Sequence, residues 1–106
     1  MNDNPVILIN VFSVDPGRQQ ELVELLTKAT EHSVSRAPGF ISARLHRSFD
    51  GNKVTMYAQW RSKEDYLVMR SDPTPIPYLQ QALAMATFEP GMYEVVRTFS
   101  PTPTAS

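Results

Sequence analysis

Apolar residues recur along the chain with two periods, and the switches between them mark the elements. Val6 to Val14 (VILINVFSV) carries β-branched and aromatic side chains at almost every position. That pattern predicts a strand apolar on both faces, with Val6, Leu8 and Phe12 on one side and Ile7, Ile9 and Val11 on the other. Asp15-Pro16-Gly17 then opens a helix, with Asp15 as N-cap acceptor and Pro16 in the first turn. Leu22, Leu25, Leu26 and Ala29 follow the i, i+3, i+4, i+7 spacing of a buried stripe, leaving Glu21, Glu24 and Lys28 for the wet side. The turn signal Ala37-Pro38-Gly39 ends this helix.

The period returns to two in Phe40–Ser48 and again in Val54–Trp60, joined by the hairpin chemistry of Asp50-Gly51-Asn52. Strict alternation places Ile41, Ala43 and Leu45 on one face and Phe40 on the other. It also groups Val54, Met56, Ala58 and Trp60 opposite Tyr57. Ser62-Lys63-Glu64-Asp65 reads as a capping box for a short helix that stops at the proline-rich run Asp72–Pro77. Leu79, Ala82, Leu83 and Ala86 resume helical spacing, Pro90-Gly91 turns the chain, and Met92–Phe99 reads as a fourth strand. The order β-α-β-β-α-β, with its second helix in two pieces, predicts an α+β ferredoxin-like fold: one antiparallel sheet with helices on one face. Helices cover only one face of such a sheet, yet the first strand is apolar on both. A second copy laid sheet to sheet about a two-fold axis, a homodimer, is the predicted cover. The single domain is expected over residues 1–100, followed by a flexible Pro/Thr/Ser tail over 101–106.

Composition narrows the function. The 106 residues are 42% hydrophobic and 20% charged, enough for one soluble globular domain. Ten Lys and Arg against eleven Asp and Glu leave a formal charge of −1, which removes the electrostatic case for nucleic acid or an anionic membrane. No run approaches the roughly 18 apolar residues of a membrane helix. The non-basic start Met1-Asn2-Asp3-Asn4 does not read as a secretory signal, so a cytoplasmic protein is expected. Cysteine is absent, and with it disulfides, thiolate metal sites and a thiol nucleophile. His32 and His46 lie on different elements without metal-ligand spacing, and no Gly-rich nucleotide loop is present. The expectation is therefore no metal and no other cofactor.

What remains is an amphipathic pocket. Met56 and Trp60 share a strand face, and Tyr66 on the following helix returns over it. Asn10 interrupts an otherwise apolar strand, and a buried amide needs a partner, either a backbone group or a ligand. Leu79 and Leu83, one turn apart, are expected to close the cavity with Gln80 at its edge. His46, an imidazole on a strand, faces solvent, a partner or the cavity.

Three segments carry a resemblance: Ile9-Asn10-Val11-Phe12, the run Pro38 to Ser48 (PGFISARLHRS), and Tyr57 to Tyr66 (YAQWRSKEDY). Together they resemble the antibiotic biosynthesis monooxygenase family over roughly residues 5 to 100. The resemblance implies a dimeric α+β barrel with a pocket between sheet and helices in each protomer. It implies a cofactor-independent monooxygenase or oxidase that uses O₂ on an aromatic, anthrone- or quinol-type small molecule. By the same resemblance Trp60, Tyr66 and Asn10 match catalytic positions. Met56 stands where such members carry asparagine, and Gln80 where some carry arginine, and both fall with Leu79, Leu83 and His46 among the substrate-binding candidates. Heme-degrading relatives need a helix histidine, and no histidine follows Trp60. The other reading is a non-catalytic, small-ligand-binding or stress-associated dimeric barrel protein.

Overall fold

Strand β1 (Val6–Val14) is the axis of the sheet. In the computed structural model, which describes residues 5–102, β1 pairs antiparallel along its length with β3 (Lys53–Trp60), and β3 pairs in turn with β2 (Phe40–Arg47). On its other edge β1 pairs first with β4 (Ala86–Glu89) and then with β5 (Met92–Tyr93), giving the path β2-β3-β1-β4 with β5 beside β4 on that edge. Helices α1 (Gln19–His32), α2 (Lys63–Arg70) and α3 (Ile76–Met85) complete the ferredoxin-like α+β plan. The sheet stays open and is not closed into a barrel within the chain. The tail expected over 101–106 lies mostly outside the described residues.

The even-numbered residues of β1 and β3 point toward the helices. Phe12, Val14 and Val54 pack with Leu22, Leu25 and Leu26 of α1 and Ala82 of α3 in one buried cluster. Leu8, Ala58 and Trp60 form a second cluster with Tyr66 of α2. The predicted leucine stripe thus faces the sheet. Asp15 makes no side-chain cap, however. Pro16–Arg18 forms a 3₁₀ turn whose Arg18 N–H bonds the Asp15 carbonyl, and α1 begins only after it. The start of α1 is tied instead to the hairpin, where the Gln19 amide donates to the carbonyls of Ser48 and Lys53.

Two strand expectations change. Phe40 shares the helix-facing side with Ala43 and Leu45, because an extra residue, Ile41, is inserted where the register shifts between Phe40 and Ser42. A bulge reverses the alternation at that point. It turns Phe40 edge-on to Trp60, with centroids 5.4 Å apart, and leaves Ile41 50% exposed. The final strand is displaced as well. Helix α3 ends at Met85, and Ala86–Glu89 pairs with β1 because Phe88 lies opposite Phe12 and stacks on it at 4.8 Å. Of the predicted strand Met92–Phe99, only Met92 and Tyr93 pair with β1. Pro90, which has no N–H to donate, separates the two short edge strands.

Ser62 caps α2 as expected: its Oγ accepts from the Asp65 N–H at 3.1 Å. The Asp65 carboxylate accepts from Arg61 Nε at 2.8 Å, which together with the Ser62 hydroxyl holds this acid below the usual carboxylate range. Gly39, at φ +89°, lies directly against the Asp65 side chain, so any Cβ there collides with it. Gly39→Ala should therefore both strain the backbone and dislodge the α2 cap, costing about 1–3 kcal/mol in chemical denaturation. Because the folded-state pKa of Asp65 is depressed, its contribution is complete above the ordinary Asp titration near pH 4. It is lost as pH falls through the lower folded value. Asp65→Asn should flatten that acid limb in a stability-versus-pH series.

Candidate active site

Between the inner sheet face and the helices lies a cavity of about 250 Å³. Leu8, Asn10 and Phe12 of β1 and Met56, Ala58 and Trp60 of β3 form its floor. Leu26, Ala29 and Thr30 of α1 line one wall; Tyr66, Met69 and Arg70 of α2 line another. Leu79 at the start of α3 and Phe88 of β4 complete the enclosure. The surface is mainly apolar with a few polar groups, the make-up of a small-molecule site.

Those polar groups are informative. Asn10 sits in the middle of β1, opposite Met56 in the β1–β3 register. Its Oδ1 is buried and has no hydrogen-bond partner among the described residues. An unmade bond of this kind costs about 1–3 kcal/mol, which a fold does not ordinarily leave uncompensated. Trp60, 1% exposed, meets the Tyr66 ring edge-on at 5.8 Å. The Tyr66 hydroxyl oxygen accepts from Arg70 Nη1 at 3.3 Å, and the Arg70 guanidinium carbon lies 5.9 Å from the Tyr66 ring centroid. A hydroxyl that accepts from arginine keeps its own hydrogen for another acceptor. Asp72 is the one carboxylate on the wall, and its Oδ1 accepts from the backbone and hydroxyl of Thr74. Among the described residues no group of three or more His, Asp or Glu is placed to hold a metal ion.

Of the residues picked out from sequence, Asn10, Met56, Trp60, Tyr66 and Leu79 come together on this cavity. Gln80, Leu83 and His46 do not line it. Ala82 is the fully buried residue of α3. At about 100° per residue, Gln80 falls nearly opposite Ala82, and Leu83 about a quarter-turn away. Both are accordingly exposed. His46 is an exposed residue on the sheet face away from the helices, with Nδ1 3.3 Å from the Thr55 carbonyl. Sequence reasoning overlooked Arg70 and Phe88. Arg70 stands four residues after Tyr66, a spacing that places both on one helix face. Phe88 was hidden because its segment reads as the end of a helix and a turn.

The family model for antibiotic biosynthesis monooxygenases matches residues 5–74. The chain belongs to that family. Tetracenomycin-F1 monooxygenase of Streptomyces glaucescens is 40% identical over 95 residues, spanning 90% of this chain and 85% of that protein. The monooxygenase from the gene ActVA-Orf6 of Streptomyces coelicolor, solved with the ligand nanaomycin D, superposes with a TM-score of 0.82 at 28% identity. That match covers 94% of this chain and 95% of the other. SnoaB, a cofactor-independent oxygenase from Streptomyces nogalater, shares the fold with a TM-score of 0.83 at 23% identity, over 92% of this chain and 99% of its own.

If the Asn10 amide is kept for a ligand, an apolar replacement should help the empty protein. Asn10→Leu is expected to raise unfolding free energy by about 1 kcal/mol in urea denaturation, since it removes an unpaired buried group. A clear loss of stability would mean that Asn10 serves the fold.

Proposed function

We propose that this protein is a cofactor-independent monooxygenase that uses O₂ to oxidise an anthrone- or quinol-type aromatic polyketide. The observation that carries the reading is the orphaned Asn10 amide set into an apolar cavity beside Trp60 and Tyr66. Support also comes from the relative named for tetracenomycin F1 at 40% identity and from the neighbour bound to nanaomycin D.

The chemistry suits such a site. An anthrone has a methylene between two rings, and losing its proton gives a delocalised aromatic oxyanion. That anion passes one electron to O₂. The radical pair joins as a peroxide anion on the same carbon, which takes back the proton lost in the first step, and loss of water from the resulting hydroperoxide leaves a ketone. One oxygen atom enters the product and the other leaves as water, so the substrate supplies all the electrons. The Tyr66 hydrogen, left free by Arg70, can donate to the substrate oxygen that becomes the oxyanion. Asn10 takes up a phenolic hydroxyl, Trp60 and Leu8 supply stacking and apolar wall, and the closed floor limits water. Met56 has no useful hydrogen bond for a carbonyl, so the amide at this level of the cavity comes from β1 rather than β3.

The reading includes a homodimer at work in the cytoplasm. No helix is long and apolar enough to cross a membrane among the described residues. Over residues 94–102 the chain runs without regular structure. Val96 is 83% and Phe99 84% exposed there, an apolar arm for which a second copy is the natural cover.

Oxygen uptake with anthrone and hydroquinone substrates tests the activity. Tyr66→Phe and Asn10→Leu are expected to lower kcat/KM by about tenfold or more, and Met56→Asn to raise it. A folded protein that consumes no oxygen with any such substrate would favour the ligand-binding alternative. Light scattering should give about twice the 12.0 kDa chain mass, and removal of the residues after Tyr93 should shift the population toward monomer. A folded, monodisperse monomer for the full chain would refute the dimer.

A further inference from the structure

Arg70 is the one cation on the cavity wall, and its surroundings leave it underused. It lies on the last turn of α2 and is exposed, so it stands at the open side, whereas the Asn10 amide oxygen is buried. It donates one hydrogen bond, to the Tyr66 hydroxyl, and rests its charge over the Tyr66 ring. It forms no ion pair within 4.0 Å among the described residues; the pairs present there are Arg18–Glu21 and Arg61–Asp65. Asp72, on the same wall, is turned to Thr74. A guanidinium carries five donors in a planar fork and keeps its charge at any ordinary pH, which suits it to grip a carboxylate with two parallel bonds.

We infer that the aromatic ligand of this cavity carries an ionised carboxylate, which Arg70 pairs with at the mouth while the ring system runs inward to Asn10. The inference rests on the aromatic-pocket reading above and adds the acid group to it. Asp72 bears a negative charge on the same wall, and its repulsion weighs more heavily on a dianion such as phosphate than on a singly charged carboxylate. Arg70 thereby has two tasks. It holds the Tyr66 oxygen so that the phenolic hydrogen faces the ligand, and it selects acids over neutral analogues of the same shape. The neutral remainder of the cavity supplies affinity through burial and contributes nothing to that choice.

Trp60 is the sole tryptophan and lines the cavity, so its fluorescence reports occupancy without turnover. The probes are a dihydroxyanthraquinone carboxylate and the analogue in which a methyl group replaces the carboxylate, titrated against the full chain. The acid should bind about tenfold more tightly or better, as expected for a charge-assisted bond at a partly exposed site. That advantage should shrink as salt is raised. Arg70→Gln should erase the advantage by weakening the acid alone, while Arg70→Lys retains part of it. Equal binding of the two probes to the wild type, or an equal loss of both in Arg70→Gln, would overturn the acid assignment and leave the aromatic pocket standing. If neither probe quenches Trp60 in the folded protein, the pocket reading fails and the inference falls with it.

Discussion

The register between β1 and β3 is the constraint on which the rest depends. Val6 lies opposite Trp60, Leu8 opposite Ala58, Asn10 opposite Met56 and Phe12 opposite Val54. One face thereby receives every β1 and β3 side chain of the two buried clusters and of the cavity floor. A slip of one residue would turn all of them to the other face and present Ile7, Ile9 and Val11 to the helices instead. Because β1 is apolar on both sides, its own composition does not forbid that slip. Leu22, Leu25 and Leu26, together with Val54 and Trp60 on the neighbouring strand, settle it by offering partners on one side only.

Within that frame the cavity is a deliberate shortfall in packing. The floor holds small or flexible side chains at its centre, Ala58 and Met56, between the aromatic groups Phe12 and Trp60. Apolar space of this kind weakens a core, because its lining loses contacts that a packed interior would supply. The buried Asn10 oxygen adds a second cost in the same place. Under the proposed function both penalties are relieved by one event, the arrival of a flat apolar molecule with a hydrogen-bond donor. On that reading the site gains affinity from interactions the empty fold leaves unmade.

The outer surface follows from the same strand. Ile7 is 3% exposed yet belongs to neither helix-side cluster. Around it the outer face mixes Thr55, Tyr57 and Gln59 with the polar Ser42, Arg44 and His46 of β2. Large exposed apolar side chains also occur on the segment after β5, where Val95, Val96 and Phe99 follow one another along the chain. An apolar sequence with strand-forming residues and no partner strand among the described residues is the feature the homodimer reading explains.

Much of this was legible in the sequence because it depends on local rules. Period-two runs fixed β1, β2 and β3 to within a residue, the leucine spacing fixed the buried side of α1, and Ser62 with Asp65 fixed the start of α2. The convergence of Asn10, Met56, Trp60, Tyr66 and Leu79 followed from the same periods once the strand order was assumed. Tertiary structure decided whatever two alternatives of similar local propensity left open. Ala86–Glu89 became a strand because Phe88 found Phe12, although its spacing continues a helix. Ile41 bulged so that Phe40 could meet Trp60, which simple alternation forbids. The roll of α3 followed the burial of its small Ala82, which moved Gln80 and Leu83 out of the site. Arg70 meets Tyr66 by the i, i+4 spacing of α2, but that pair lines the cavity only because Tyr66 packs over the sheet against Trp60, a relation between elements that no single stretch of sequence encodes.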